Sequence, residues 1–356
     1  MNTNIDISNI HKLFSPDSGK SKDIGSRQHK YFSKLVKHDF FSRNETEICD
    51  KIKQNLYYSN NFHIVEEYDF VNIGQLTETV VENLRLANDD IYMIFKYKTD
   101  DLIDFDEFLL NITDPKRFIF TVITSFSYIL ESLQTLYKNK VCFFNLSPQN
   151  IAFNLDCGEK PVIRNFHTSI QISRLNVDYI TTIIKQQQDY THKPLEVHVL
   201  FYLIQNNLST ISYAFIEEVC DEFVKNLTFL RLFSEKFGIS YKDACVTSLK
   251  KYINMPQKDI ILAILENSDK WDVYSISIVY LHIFGCVSSA FSLQSNFITN
   301  FMKELSKNTH PDPKKRMSLD DLSVTYTKML GDETDWSFVN KLPRNKMTQL
   351  FAILGE

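Results

Sequence analysis

Residues 273 to 302 contain no Asp, Glu, Lys or Arg, and this constrains the fold more than any other feature of the chain. A charge-free run of this length must leave water, either into a bilayer, whose span takes roughly 20 apolar residues, or into a protein core. Here Ser275, Ser277, His282, Ser288, Ser289, Ser292, Gln294, Ser295, Asn296 and Asn300 interrupt it, and true spans carry few such groups. The run therefore predicts a helix buried all round and followed by a loop, with no membrane span. At 356 residues the chain can supply one large two-lobed domain or two ordinary ones around that helix.

A formal net charge of −5 gives no global basic field for nucleic acid or for an acidic membrane. The cysteines at 49, 142, 157, 220, 245 and 286 form no C-x-x-C pair, so neither a zinc site nor a disulfide framework is signalled. Reduced thiols and an intracellular, cytoplasmic setting are expected. Met1 to Asp6 show no basic flank followed by an apolar stretch, so no secretory signal is expected. Residues 1–28 are polar and aperiodic and predict a flexible tail. Phe62-His63-Ile64-Val65 and Asp90-Ile91-Tyr92-Met93-Ile94-Phe95 are the clearest strands of a small unit at 29–98. Lys96 to Asp104 would join it to a larger unit at 99–356. Asp114-Pro115 starts a helix as N-cap and first-turn proline, and Ser318-Leu319-Asp320-Asp321 opens another with a capping box.

Five short patterns then occur in order. Residues 143–150 read Phe-Phe-Asn-Leu-Ser-Pro-Gln-Asn. They precede a hairpin signature, Ile151 to Leu155 and Pro161 to Ile163 around Asp156-Cys157-Gly158-Glu159, which ends in Asn165-Phe166-His167. Pro194-Leu195-Glu196, Trp271-Asp272-Val273-Tyr274-Ser275 and Pro311-Asp312-Pro313-Lys314-Lys315-Arg316 follow. This series resembles the catalytic loop, D-F-G turn, A-P-E triplet, buried central helix and D-P-x-x-R segment of the protein-kinase superfamily, over roughly residues 30 to 330. The resemblance implies an α+β fold of two lobes: a small, partly β N-terminal lobe and an expanded, mainly helical C-terminal lobe. It also implies structural roles for Asp272 and for a Glu196–Arg316 pair.

The chemically active letters are replaced. Asn145 stands where the resemblance puts the catalytic aspartate, and Asn165 where it puts the magnesium-binding one; only Asn150 retains its letter. A neutral amide cannot accept the proton of a substrate hydroxyl, and magnesium loses its main anionic ligand. The resemblance is thus to a degenerate, pseudokinase-like member. It implies a catalytically inactive scaffold or regulator with a protein partner and no cofactor. The alternative is an atypical active Ser/Thr kinase that uses ATP and Mg²⁺ with relocated carboxylates, for which Asp156, Asp189 and Asp221 are the candidates. Small-molecule kinases with H-x-D-x-S-x-x-N share Ser147 but keep the aspartate.

Nucleotide-binding letters are sparse. Gly19, Gly25 and Gly74 are not spaced as a G-x-G-x-x-G loop. Lys37, in Leu35-Val36-Lys37, resembles the strand lysine that pairs with a helix glutamate, for which Glu47 is the candidate; the plainer reading is a surface lysine and a solvated glutamate. Phe144 replaces the arginine that reads a phosphorylated segment, and His167 replaces a hinge glycine. His192 and His198 flank Glu196 without ligand spacing and read as structural histidines.

Between Glu196 and Asp272 lie about 75 residues, too many for a plain loop, and their apolar spacing predicts a helical insertion at about 197–270. It either thickens the larger lobe or presents a partner surface. With its Pro-Leu-Glu-Val-His start, this expansion looks most like the kinase-like proteins of large nucleocytoplasmic DNA viruses, which adds virion association to the expected settings.

Overall fold

The computed structural model describes residues 31–71, 90–187, 190–293, 297–333 and 336–355. The expected tail at 1–28, Gly19, Gly25, Gly74 and Asp189 lie outside the described residues.

The small lobe is built on β1 (Tyr31–Lys37), α1 (Phe40–Ile52), β2 (Val65–Val71) and β3 (Tyr92–Lys98). Asp39 accepts from the N–H groups of Phe41 and Ser42 while Ser42 Oγ accepts from Asp39 N. This capping box fixes where α1 begins. Glu45, Ile48, Cys49 and Ile52 then fall on one buried face at the helical spacing of i, i+3, i+4 and i+7. The strands pair antiparallel in the order β1-β3-β2, with Lys34 opposite Phe95 and Lys37 opposite Tyr92. Lys96 lies inside this sheet and forms ion pairs with Glu67 and Asp69. The connection between lobes therefore begins at residue 99 and not at Lys96, because the ladder holds the strand through Lys98.

In the larger lobe β4 (Leu102–Asp104) leads into α2 (Phe105–Leu110) and α3 (Pro115–Lys138). Asp114 caps α3 by accepting from Arg117 N at 3.0 Å. Phe118, Ile119, Val122, Phe126, Ile129 and Leu133 line its buried face. Next come β5 (Val141–Cys142), the hairpin of β6 (Ile151–Asn154) and β7 (Lys160–Ile163), then β8 (Ile170–Gln171) and α4 (Val177–Gln186). β4, β6 and β7 form one small sheet, and β5 pairs with β8.

The expansion folds as α5 (Leu195–Gln205), α6 (Tyr213–Asn226), α7 (Glu235–Leu249) and α8 (Gln257–Leu265). Its apolar stripes pack inward through residues such as Ile216, Phe223, Cys245 and Ile264, all buried. The large exposed apolar residues Tyr213, Ile239 and Leu262 sit on three different helices. Most of the apolar residues of the expansion thus thicken the lobe.

Helix α9 (Trp271–Phe291) runs through the middle. It and α3 are long and apolar enough to cross a membrane by length and composition, but 83% of the most apolar window of the 268–291 segment is buried inside the protein. Ser292 ends α9 in the left-handed region at φ 53°. The charge-free run does not continue as loop to residue 302, because α10 (Phe297–Asn308) begins within it and buries Phe297 and Phe301. The chain closes with α11 (Leu319–Asp332), α12 (Ser337–Asn340) and α13 (Met347–Leu354). At the start of α11 Asp321 N donates to Ser318 Oγ at 3.0 Å.

Glu196 at the start of α5 and Arg316 before α11 meet as a bidentate pair, Nη1 to Oε1 at 2.7 Å and Nη2 to Oε2 at 2.9 Å. Both are buried. Arg316 also donates to the carbonyls of His310 and Pro311 and lies 5.0 Å from the Tyr274 ring centroid. Removing one partner leaves an uncompensated buried charge. Arg316→Met should therefore lower unfolding stability by about 3–5 kcal/mol, and adding Glu196→Leu should recover part of that loss in the same denaturant titration.

Candidate functional site

The loop at 143–150 is held from below by Asp272. Its carboxylate accepts from Phe143 N at 2.7 Å and Phe144 N at 2.8 Å, and it is buried. Burial pushes this carboxyl above the usual range, and the two backbone donors pull it back toward the charged form. The clamp holds Phe144 at φ 63°, a region bulky residues rarely adopt.

The buried Lys193, just before α5, closes the other side. Its Nζ donates to Phe144 O and, at 3.2 Å, to Asn145 Oδ1, and it lies 4.6 Å from the Phe144 ring centroid. Asn145 Oδ1 also accepts from Gln187 Nε2 at 3.1 Å. Asn150 Nδ2 donates to Asn145 O at 2.9 Å and to Ser147 Oγ at 3.3 Å. Asn165, at φ 66°, donates from Nδ2 to Asn150 Oδ1 at 2.8 Å. The structure thus brings Asn145, Asn150 and Asn165 together as a ladder of amides. A hard divalent cation needs anionic oxygen donors. These three residues offer neutral oxygens, and those of Asn145 and Asn150 already accept hydrogen bonds, so the donor set does not fit Mg²⁺.

Lys37 and Glu47 are not brought together. Lys37 forms an exposed ion pair with Asp90 at 2.7 Å, and Glu47 accepts from Gln171 Nε2 at 2.8 Å and from Arg174. The correction follows from periodicity. Lys34 and Lys37 are three apart on a strand and point to opposite faces. Glu45 and Glu47 are two apart on a helix and point to opposite sides. Lys34 shares the face of its cross-strand partner Phe95, and its charge acts on both Glu45 and His167. The inward lysine and glutamate are thus Lys34 and Glu45. A signal was available: Glu45 sits in register with Ile48, Cys49 and Ile52, the buried stripe of α1.

Burial pushes the Glu45 carboxyl up to about 7, with Lys34, the Phe166 backbone and Tyr97 opposing that rise. Burial likewise lowers His167 to about 4, and Lys34 adds to the effect. Phe166 is buried between Phe62 and Phe143, with ring centroids at 6.0 and 5.3 Å. His198 bonds Tyr190 O at 3.0 Å, and His192 O accepts from Ser275 Oγ at 2.8 Å. Among the described residues no three His, Cys, Asp or Glu side chains converge as a metal site.

No protein-family model and no curated protein matches this chain. Among solved structures, the twitchin kinase region from C. elegans (Fn31-NL-kin-CRD-Ig26) is similar, with a TM-score of 0.46 and 12% identity. The match covers 91% of this chain and 45% of that one, so this chain spans less than half the length of the structure it resembles. The fold is a two-lobed, mainly helical α+β arrangement.

Glu45 supplies a pH signature. From about 4.5 to about 7 the folded state holds a proton on Glu45 that the unfolded chain has lost, so this residue makes stability fall as pH rises through that window. His167 acts oppositely, costing stability as pH falls from about 6.5 toward 4. Glu45→Gln removes only the first effect. Its stability relative to the parent protein should rise between pH 5 and pH 8 by on the order of 3 kcal/mol in paired denaturant titrations.

Proposed function

We propose that this chain is a catalytically inactive, kinase-like protein that works as a binding scaffold or regulator for another protein. One observation carries the reading: the ladder Asn165–Asn150–Asn145, braced by Lys193 and Gln187, fills the place where phosphoryl transfer needs a base and a metal-holding carboxylate. Its amides accept no substrate proton at neutral pH. On this reading the protein needs neither ATP nor Mg²⁺.

The rival with relocated carboxylates finds little support among the described residues. Asp156 sits in the turn of the β6–β7 hairpin, where its Oδ2 accepts from Asp101 N at 3.0 Å. Asp221 lies on α6 and forms an exposed ion pair with Lys242. Neither joins the ladder.

The cysteines, scattered without a C-x-x-C pair, support a reducing, intracellular and cytoplasmic setting. Kinship with the kinase-like proteins of large DNA viruses, and with it virion association, rests on the Pro194–His198 segment and the helical expansion. Both belong to this proposal.

Phosphate transfer from radiolabelled Mg-ATP to generic protein substrates should stay at background. Loss of a general base alone removes a factor of about 10² to 10⁴. Robust transfer that survives Asn145→Ala and disappears on substitution of a nearby carboxylate would establish the active-kinase alternative instead.

A further inference from the structure

Helix α1 contributes an unusual buried residue, Asn44, whose side-chain amide is fully used across the lobes. Its Nδ2 donates to His167 O at 3.0 Å and to Ser169 O at 2.7 Å. Its Oδ1 accepts from Tyr179 OH at 2.8 Å and Gln171 Nε2 at 3.2 Å. Two donors and two acceptor sites are all an asparagine has, so every one is engaged. Gln171 is equally committed. Its Nε2 also reaches Glu47 at 2.8 Å and its Oε1 accepts from Lys51 Nζ at 2.7 Å. Its backbone N donates to Tyr179 OH at 3.0 Å. Ser169 Oγ carries the chain of bonds on to Phe143 O at 2.9 Å, in the loop that Asp272 clamps.

Asn44, Ser169, Gln171 and Tyr179 are all buried, and a satisfied polar network in that setting specifies one arrangement because any shift orphans several groups together. The charges that join it, Glu47, Lys51 and Arg174, lie at its rim. The network contains no site for a nucleotide, a metal or a phosphorylated side chain. We propose that Asn44 is a latch that keeps α1 and the segment 167–180 closed as one body across the two lobes, with no ligand needed to seat them. The lobes then present a single preformed surface. The latch stands whether or not the chain transfers phosphate, so its failure is distinguishable from failure of the inactive-kinase reading.

Hydrogen–deuterium exchange of the full chain, read by mass spectrometry, tests this. In the parent protein, peptides covering 40–52 and 169–180 should be protected to the same degree with and without Mg-ATP, and at low and high salt. Asn44→Ala should raise exchange in both segments together by about tenfold or more, because buried partners lose their bonds. The β6–β7 hairpin and α9 should keep their protection. Tyr179→Phe, which removes the hydroxyl that donates to Asn44 and accepts from Gln171 N but leaves the two Asn44 Nδ2 bonds and keeps the ring against Phe40, should give a smaller rise in the same two segments. It carries the test if Asn44→Ala does not fold. Parent segments that become protected only on adding Mg-ATP would overturn the latch. So would variants that change exchange near residue 44 alone, or evenly throughout the protein.

Discussion

The carboxylate of Asp272 holds the centre of this molecule together. It projects from the first turn of a helix buried nearly all round and accepts two backbone N–H groups from a loop that would otherwise carry orphaned donors in the core. Because those donors belong to Phe143 and Phe144, the clamp fixes the direction in which Asn145 leaves the loop. It also fixes the carbonyl of Phe144, which receives Lys193 from the turn just before α5. One buried charge thereby orients the candidate site, and the Glu196–Arg316 pair fixes the start of α5 on the far side of Lys193. Both charges satisfy the rule that ions withdrawn from water need several good partners.

What the clamp presents is a site built without carboxylates. Three asparagines bond to one another, Lys193 donates to the Phe144 carbonyl and the Asn145 amide, and Lys34 acts on a carboxyl whose burial favours its neutral form. In a site made for phosphoryl transfer the charges are opposed across a metal and remain available to substrate. Here the hydrogen-bonding capacity turns inward. The same inward use appears at Asn44 and Gln171, so amides provide both the candidate site and the cross-lobe contact. The amide bonds at the centre of this network respond little to salt, since neutral groups are not screened, and the charges of Glu47, Lys51 and Arg174 stay at its rim.

The expansion between Glu196 and Asp272 obeys a simpler rule. Its helices carry one apolar stripe each, and a stripe must be buried. α6 packs on α5 and on α7, and α8 packs on α5. Added mass here is added core, which supports the placement of α9 and of the Arg316 turn, where Tyr241 OH reaches Thr309 O at 2.6 Å.

Several features were legible in the chain because they depend on local rules. Asp114-Pro115 and Ser318 to Asp321 mark helix starts through capping chemistry that needs only neighbouring residues. The charge-free run at 273–302 announces a buried helix because desolvating charge is costly wherever the run folds. The identities of Asn145, Asn150 and Asn165 are covalent facts, so the amide character of these positions could be read without coordinates. Glu45 could be placed from its register with Ile48, Cys49 and Ile52, but tertiary structure alone decided which lysine faces inward. Lys34 and Lys37 differ by strand parity, and parity acquires meaning only once a sheet has a covered face. It alone also turned three separated asparagines into a ladder and joined Asn44 to residues more than 120 positions away. Hydrogen bonds between distant side chains carry no local sequence signature, since the entropy of closing such loops is met by the whole fold and not by any one pair.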